Sequence, residues 1–517
     1  PALLRMDEVG SVTKKNPDSP VGMQTAISGS WMIGARLISR VVDLGTMLVL
    51  AHMLRPRDFG LVAIAMTVIY IVEAALELPV SQALVRLPVL TSAHYDTAFT
   101  LSFARGAILS LLLCLVSLPF SYVYGDRRLV PLICLLSLAP AARGLVSPRL
   151  ADFAKHLDFS RDFAIELTGK MVAFAAAIAF ALSFRNYWSI AIGTVAAPVT
   201  AAIASYVLAP YRPRFSLSEL RSFSGFLGWI TVAQGISALN WQSDRLLLGK
   251  LTSRSELGLF TTANDVANIP LLTLFGPILR PLLSAFALLK HDLERLQKSY
   301  QTSSSAMVTL GLPILIGESM IAYPAVRLLF GDKWMGAAPM LRWLALSLIP
   351  SLFAMPLGPL VMALDRTRIF VKRNALEISV KLPLVILGAL RFQFFGVIAA
   401  RLISEAATVI FCMVVVRRLI GLSLREQVLA PWRGILASLG MAAVLALAVP
   451  HLTQATGTVP LAVGVALSVT LGAVAYTGTL LTLWVAAGSP AGIEAMLISR
   501  ISLLLKRSGP RAAEQLL

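Results

Sequence analysis

The sequence predicts an all-α polytopic membrane protein with about 14 transmembrane helices. They are arranged as two six-helix lobes related by a parallel pseudo-two-fold, followed by two extra C-terminal helices. Of the 517 residues, 57% are hydrophobic and only 14% are charged, whereas soluble proteins carry roughly 25% charged residues. Apolar stretches of about 20 residues, long enough to cross a bilayer, recur along the chain. These values argue against a soluble enzyme.

The candidate spans lie between charged breaks and breaks rich in Pro or Gly. No long polar domain interrupts the series, and the three cysteines lie inside apolar runs, so the sequence predicts no disulfide framework. The predicted spans are 27–51, 59–80, 97–119, 129–148, 163–183, 187–208, 225–249, 257–279, 302–322, 336–361, 370–390, 393–416, 434–450 and 460–486.

The domain boundaries follow from the breaks between these spans. Apolar residues at helical spacing also predict interfacial helices over Phe286–Tyr300 and Ile493–Lys506. The predicted parts are a cytoplasmic tail (1–22), an N-terminal lobe (23–208), a cytoplasmic linker (209–224), a C-terminal lobe (225–417), helices 13 and 14 (431–486) and a cytoplasmic tail (487–517).

The basic residues between the spans predict the orientation. The net charge is +18, with 45 basic residues against 27 acidic ones. Of the basic residues, 26 lie in the two tails and the even-numbered loops, and only 10 lie in the odd-numbered loops. Because cytoplasmic loops are enriched in Lys and Arg, both termini are predicted to be cytoplasmic. A nucleic-acid-binding protein would instead show a basic polar domain.

The chain contains an internal sequence repeat. The segment Leu50–Leu61 matches Leu248–Leu259 at a constant offset, which pairs the acidic residues Asp58 and Glu256 and the glycines Gly60 and Gly258. Each segment connects the first and second spans of a six-span set. Six spans return the chain to the same side, so the repeat predicts two lobes related by an axis along the membrane normal. Transporters built in this way hold substrate at the interface between the repeats.

Three stretches carry a family resemblance: Arg55–Ala63, Leu259–Pro270 and Leu329–Trp334. Over roughly residues 23–430 the sequence resembles polysaccharide exporters of the Wzx type. These form part of the multidrug/oligosaccharidyl-lipid/polysaccharide flippase superfamily, and the resemblance is to its colanic acid and exopolysaccharide branch. The third stretch is the most specific. Individually, the three stretches are structural turns rather than catalytic signatures.

The resemblance implies a flippase in the bacterial inner membrane. Such a protein moves undecaprenyl-pyrophosphate-linked oligosaccharide repeat units from the cytoplasmic to the periplasmic leaflet for exopolysaccharide or lipopolysaccharide assembly. It works by alternating access of two lobes around a basic cavity, and its implied partners include a polymerase and chain-length or export proteins. The alternatives are a lipid II flippase, a drug or cation exporter of the same superfamily, and a membrane polysaccharide polymerase or ligase. Short odd-numbered loops disfavour the polymerase.

Nine basic residues lie inside the predicted spans, where each costs about 2.5–3.5 kcal/mol if it faces lipid at mid-depth. We therefore expect them to face a wet cavity or charged partners. Guanidinium groups suit a pyrophosphate because they donate bidentately and stay charged. The candidate substrate-binding residues are Arg36, Arg40, Arg143, Lys170, Arg245, Lys381 and Arg401, and the remaining two basic residues are Arg105 and Arg342.

Carboxylates inside the spans are candidates for ion pairs or for coupling. Glu73 and Glu77 lie one helical turn apart, which fits either hydrogen-bonded carboxyls between helices or a proton-coupling site. Equal distances along neighbouring antiparallel spans predict a cross-helix pair of Arg36 with Glu73 in at least one state. Asp244 is adjacent to Arg245 and is expected to point elsewhere. Pairs on one helix face are Arg40 with Asp43, Lys170 with Glu166, Lys381 with Glu377, and Arg401 with Glu405.

No catalytic or cofactor motif is found in the sequence. The five histidines are scattered without metal-ligand spacing, and there is no Gly-Lys-Ser/Thr loop that would cradle a phosphate. The sequence therefore predicts a transporter without catalytic residues, cofactors, metal sites or nucleic-acid partners.

Overall fold

The computed structural model of the protein describes residues 38–78, 80–87, 90–155, 160–220, 228–454 and 457–489. These residues form helices and turns and contain no β-strand. In chain order the helices are α1 (38–53), α2 (Pro56–Ala75), α3 (Val80–Arg86), α4 (Ser92–Tyr124), α5 (Leu129–Leu136), α6 (Leu138–Gly144), α7 (Leu150–Lys155), α8 (Ser160–Phe184), α9 (Trp188–Leu208), α10 (Gly228–Leu251), α11 (Arg254–Leu289), α12 (Leu293–Met320), α13 (Ala322–Phe330), α14 (Ala337–Ser347), α15 (Ile349–Ala354), α16 (Leu357–Ala363), α17 (Arg368–Ile420), α18 (Leu424–Leu429), α19 (Trp432–Leu452) and α20 (Thr458–Ala486).

The predicted spans correspond to these helices. Within the described ranges, nine helical segments are long and apolar enough to cross a membrane, and α12 with α13, bent by 71°, is a tenth. The other predicted spans correspond to α1, to the short apolar pair α5–α6, to the more polar α10 and to the second half of α17. The all-α polytopic class is therefore confirmed.

The two repeated segments begin their helices in the same way. The first helical residue is Pro56 in α2 and Arg254 in α11, which are equivalent positions of the repeat. A carboxylate in the first turn, Asp58 or Glu256, accepts a hydrogen bond from the backbone N–H that precedes the helix, at 3.2 and 3.0 Å. Such contacts provide an acceptor for backbone N–H groups at the start of a helix, which have no acceptor within the helix. The sequence repeat is thus also a structural repeat.

A break inside α17 separates two predicted spans. Gln393 has a φ of 50°, in the left-handed region, and interrupts the helical dihedrals. On either side of it, Gly388 and Gly396 touch so closely that a Cβ on Gly396 would lie 2.0 Å from the Gly388 carbonyl oxygen. Two residues only eight positions apart can meet in this way because the chain reverses at Gln393. The boundary expected near residue 391 is therefore present.

The predicted interfacial helix over Phe286–Tyr300 is wrong. The segment is instead the end of α11, a turn and the start of α12, where the Asp292 carboxylate accepts a hydrogen bond from the Arg295 N–H at 3.1 Å. The apolar residues bury against the protein: Phe286 and Tyr300 stack with ring centroids 6.1 Å apart and are almost fully buried. The second predicted interfacial helix, Ile493–Lys506, lies outside the described residues.

The core joins the two halves of the chain, which we call the first half (38–208) and the second half (228–420). Helix α2 of the first half packs against α10 and α11 of the second. Buried side chains of both halves, among them Leu61, Phe260 and Trp334, belong to one continuous apolar cluster. The last two helices, α19 and α20, pack together, and α19 docks on α12. A cavity between the halves can therefore form only where the halves diverge.

Candidate functional site

A cavity of about 1000 Å³, here called the central cavity, lies between the halves. Helices α1 and α2 form its wall in the first half, and α10 and α11 form its wall in the second. The lining is mixed: charged and amide side chains alternate with aromatic and aliphatic ones. The polar and aromatic lining residues are Arg40, Asp43, Tyr70, Glu77, Gln234, Ser237, Trp241, Gln242, Arg245, Asn264, Asp265, Asn268 and Thr273.

A second cavity of about 500 Å³, here called the inner cavity, lies inside the second half. It shares Trp241, Arg245, Asn264 and Asn268 with the central cavity, so the two adjoin along α10 and α11. Its charged lining residues are Asp244, Arg245, Arg373, Glu377, Lys381, Arg401 and Glu405. The polar groups predicted inside the second lobe thus gather around one space.

The first-half basic residues pair across helices. Arg143 of α6 lies 2.8 Å from the Glu73 carboxylate of α2. Arg105 of α4 lies 3.2 Å from the Glu77 carboxylate and donates to the Leu76 carbonyl oxygen at 2.7 Å. The two acidic residues therefore each hold a guanidinium, which supports the ion-pair interpretation of Glu73 and Glu77. Arg36 lies outside the described residues, and its pairing with Glu73 stays a prediction.

Lys170 joins α8 to α1. Its ammonium lies 2.8 Å from the Asp43 carboxylate and 3.2 Å from Glu166, so the expected pair of Lys170 with Glu166 is confirmed. The expected pair of Arg40 with Asp43 is wrong in this state. Asp43 pairs instead with Lys170, which lies on the neighbouring helix α8.

The second-half basic residues also prefer partners on other helices. Lys381 is buried, lies 3.1 Å from the Asp244 carboxylate and donates to the Asn240 carbonyl oxygen at 2.9 Å. Arg401 donates to the Asn264 side-chain oxygen at 2.6 Å and lies 4.0 Å from Asp244. The acceptors of both cations therefore lie on α10 and α11, whereas the expected partners lie on α17 itself.

The local pairs expected on α17 are wrong for this reason. The Glu377 carboxylate lies 4.0 Å from the Arg373 guanidinium, and it forms no ion pair with Lys381. Glu405 forms no ion pair within 4.0 Å among the described residues, although it lines the inner cavity with Arg401. Helical spacing places two groups on one face, but it does not reveal a better partner on another helix.

Adjacent residues of α10 point to different partners, as expected. Asp244 points to Lys381 in the inner cavity, whereas Arg245 lies 2.5 Å from the Asp265 carboxylate of α11 beside the central cavity. Asp265 was not singled out by the sequence analysis. Its position one hairpin away from Arg245 was the available signal, because α10 and α11 are joined by only two residues.

Arg40 is the exception among these cations. It is exposed to the central cavity, and no hydrogen bond or ion pair joins it to another described residue. Arg342 likewise has no partner in the described part of the chain, but it does not line either cavity. Among the described residues that line the central cavity, Arg40 is therefore the guanidinium whose donors are available to a ligand.

The opposite end of the bundle is closed. The connections 54–55, 125–128, 252–253 and 331–336 meet there, and we call this region the closed end. Arg254 of the second half donates to the Tyr124 carbonyl oxygen of the first half at 2.7 Å and lies 3.7 Å from Asp126. Lys250 donates to the Val123 carbonyl oxygen. These contacts bind the halves directly to each other.

Asp126 and Trp334 complete the closed end. Arg128 forms two hydrogen bonds to Asp126, at 2.8 and 3.0 Å, which hold the pKa of that carboxyl below its ordinary value. Trp334 donates to the Ala51 carbonyl oxygen at 2.9 Å and packs edge-on against Phe59. Sequence reasoning treated these residues as loop charges and turn motifs, although Trp334 ends the most specific family stretch.

The side chains that line the two cavities are suited to binding anions and polar ligands. The described residues contain no group of three or more His, Cys, Asp and Glu side chains arranged to hold a metal ion. Guanidinium, ammonium, amide and indole groups line the cavities, and such groups recognise anions and polar ligands.

Comparison with known proteins assigns the family. The profile of the family described as "Polysaccharide biosynthesis protein" matches residues 49–339. The lipopolysaccharide biosynthesis protein WzxC of Escherichia coli is 25% identical over 419 residues, which cover 79% of this chain and 84% of that protein. The succinoglycan biosynthesis transport protein ExoT of Rhizobium meliloti is 24% identical over 321 residues, covering 61% and 65%.

A solved structure shows the same fold. The lipid II flippase MurJ in its inward closed conformation superposes with a TM-score of 0.70, at 13% identity, over 87% of this chain and 98% of that one. At this identity the similarity establishes the fold alone. The profile match covers more than half of the chain, and the name of ExoT describes a transport protein. The chain is a multi-pass membrane transporter, not an enzyme, and belongs to the polysaccharide biosynthesis protein family of Wzx-type exporters.

Proposed function

We propose that the protein flips undecaprenyl-pyrophosphate-linked oligosaccharide repeat units from the cytoplasmic to the periplasmic leaflet of the bacterial inner membrane. The names of its relatives, which refer to lipopolysaccharide and succinoglycan biosynthesis, support a polysaccharide precursor as the substrate. The observation that carries the proposal is Arg40, a guanidinium that has no partner among the described residues and lies in a cavity between the two halves.

The central cavity suits the polar head of such a lipid. A pyrophosphate carries about two negative charges, and guanidinium can donate two parallel hydrogen bonds to it. A volume of about 1000 Å³ lies at the upper end of ordinary ligand pockets and accommodates several sugar residues. The polyprenyl chain would stay in the bilayer, where it costs nothing to solvate. The protein then needs to shelter only the head during the crossing.

Cations that are paired in this state can also bind the pyrophosphate at another stage of transport. Arg143 and Arg245 are held by Glu73 and Asp265 in this state, and Lys170 is held by Asp43. When the lobes move, these carboxylates can release their cations to the substrate and take them back after it leaves. Such an exchange gives each of these cations an anionic partner in both states, and an unpaired cation that faced lipid would be costly. We assign the same role to Lys381 and Arg401 at the inner cavity.

The moving bodies in this proposal are the two lobes, 23–208 and 225–417, connected by the linker 209–224. Both termini are cytoplasmic, so the closed end faces the periplasm and the central cavity receives substrate from the cytoplasmic side. Helices 13 and 14 (431–486) accompany the second lobe, to which α19 is docked. Opening requires the contacts of Arg254 and Lys250 with the first half to break.

Deletion of the gene tests this function. Cells without the protein should accumulate complete undecaprenyl-linked repeat units inside and lose the surface polysaccharide, and the wild-type gene should restore export. Export of single unpolymerised units would instead support a polymerase. Accumulation of lipid II with normal repeat units would support a lipid II flippase and would overturn the proposal.

A further inference from the structure

Trp241 occupies an unusual place for a large aromatic residue. It lies ten residues before the end of α10, about 15 Å from the closed end by helical rise and thus deep in the bundle. Nevertheless, 73% of its surface is exposed. The exposed indole lines both the central and the inner cavity. An indole facing open space inside a protein, rather than packed into the core, indicates a surface that contacts a ligand.

The residues on either side of Trp241 are amides with unused acceptors. The side-chain oxygens of Asn240 and Gln242 are buried and have no hydrogen-bond partner among the described residues. Asn240 is 2% exposed and lines the inner cavity, whereas Gln242 lines the central cavity. Buried acceptors without donors are unfavourable, so a ligand that supplies hydroxyl donors would improve both sites.

The chemistry at this point differs from that at Arg40. Two cations that line the inner cavity together with Trp241 are already engaged: Arg245 is held by Asp265, and Arg401 donates to Asn264. A phosphate would therefore have to displace a partner from Arg245 or Arg401, whereas Arg40 has no partner to displace among the described residues. A polyprenyl chain would require an apolar lining, whereas both cavities that the indole lines also contain amide and charged side chains. A pyranose ring has a flat C–H face that stacks on an aromatic ring and a rim of hydroxyl groups that donate to amide oxygens.

We propose that Trp241 is the sugar-stacking residue of the substrate cavity, with Gln242 and Asn240 reading the hydroxyl groups of the stacked sugar; this inference rests on the proposed flippase function. The pyrophosphate binds at Arg40, and the sugar attached to it lies against Trp241 on the opposite wall of the same cavity. A site that hydrogen-bonds particular hydroxyls rejects sugars that lack them. This wall therefore determines which repeat units are accepted.

The test measures binding of two lipid probes to the full-length protein in nanodiscs. One probe is undecaprenyl pyrophosphate, and the other is undecaprenyl pyrophosphate bearing the saccharide, purified from cells that lack the exporter. Trp241→Ala should weaken binding of the saccharide probe about tenfold, the size expected for one stacked aromatic contact. Binding of the sugar-free probe should not change. Trp241→Phe should keep part of the affinity because a smaller ring still stacks.

Controls separate this inference from the proposed function. Trp343→Ala removes another half-exposed tryptophan, 48% exposed and outside both cavities, and should leave both affinities unchanged. Arg40→Ala should weaken binding of both probes. Equal loss of both probes in Trp241→Ala, or no loss of either, would overturn the stacking role while the function stands. If the wild type binds neither probe, the flippase proposal and this inference both fall.

Discussion

Gly60 and Gly258, which occupy equivalent positions of the sequence repeat, pack against each other where α2 crosses α11. A Cβ on Gly60 would lie 1.8 Å from the Arg254 carbonyl oxygen, and one on Gly258 would lie 1.8 Å from that of Pro56. Pro56 and Arg254 are also equivalent residues, so each half makes the same contact with the other. Such reciprocal contacts are what a two-fold axis generates at an interface.

Substitution of either glycine should separate these helices. Gly60→Ala and Gly258→Ala should each lower the free energy of unfolding by about 1–3 kcal/mol, because no flexible side chain can move away from the new methyl group. Thermal unfolding of the purified protein in detergent checks this. The matched control is Gly276→Ala on α11, where nothing lies within 4 Å of the added methyl. Equal effects at positions 60 and 276 would refute the close crossing.

The pair of Glu73 with Arg143 should be exchangeable. Glu73→Arg or Arg143→Glu alone places like charges together inside the membrane and should reduce export to a small fraction of the wild-type level. The double exchange should restore part of the loss, measured as surface polysaccharide at equal protein abundance. Asp332→Ala serves as control, because the pair of Arg327 with Asp332 is exposed and such pairs contribute little. If the double exchange does not restore export, export depends on a particular side chain at each of the two positions and not on their charge pairing.

A cross-link at the closed end should stop transport. Lys250 donates to the Val123 carbonyl oxygen across the halves, so cysteines at these two positions can be joined by a reducible thiol-specific linker. The native residues Cys114, Cys134 and Cys412 are first replaced. Export should cease after cross-linking and return after dithiothreitol treatment, whereas the single cysteines should export throughout. Normal export by the cross-linked protein would exclude opening at this end.

The charge of Asp126 makes the closed end insensitive to mild acid. Arg128 lowers the pKa of Asp126 by hydrogen bonding, so the carboxylate stays ionised below its ordinary pKa and its stabilising contribution is lost only at still lower pH. Arg254 therefore keeps its partner at neutral pH and somewhat below. Asp126→Asn should weaken this contact at every pH tested, and the accessibility of a cysteine at the buried position Leu129 to a soluble maleimide would report it.

The orientation can be read from two exposed positions. A cysteine replacing Arg127 should react with an impermeant maleimide in intact spheroplasts, and one replacing Lys290 should react only after permeabilisation. Both side chains are exposed at turns between helices. The opposite labelling pattern would invert the proposed direction of every step, with the closed end facing the cytoplasm.

Local and periodic features of the sequence predicted the fold. Contacts between distant segments could not be predicted from the sequence. Span length and the repeat at Gly60 and Gly258 each depend on residues close together or at a fixed offset. The partner of Lys381 depends on how α10 and α17 pack, which helical spacing does not determine. The apolar spacing over Phe286–Tyr300 was interpreted as a membrane-surface stripe. Those side chains instead bury against α16 and α17 on either side of a turn.

Translocation by the purified protein in liposomes tests the central claim most directly. Liposomes contain undecaprenyl-pyrophosphate-linked saccharide in both leaflets, and a soluble sugar-oxidising reagent reports the fraction that reaches the outer leaflet. The wild type should expose nearly all of it, Arg40→Ala should leave the inner-leaflet half protected, and Arg40→Lys should act slowly because charge survives but the bidentate donor does not. Exposure by Arg40→Ala at the wild-type rate, with equal incorporation of protein, would contradict a role for this guanidinium in carrying the pyrophosphate.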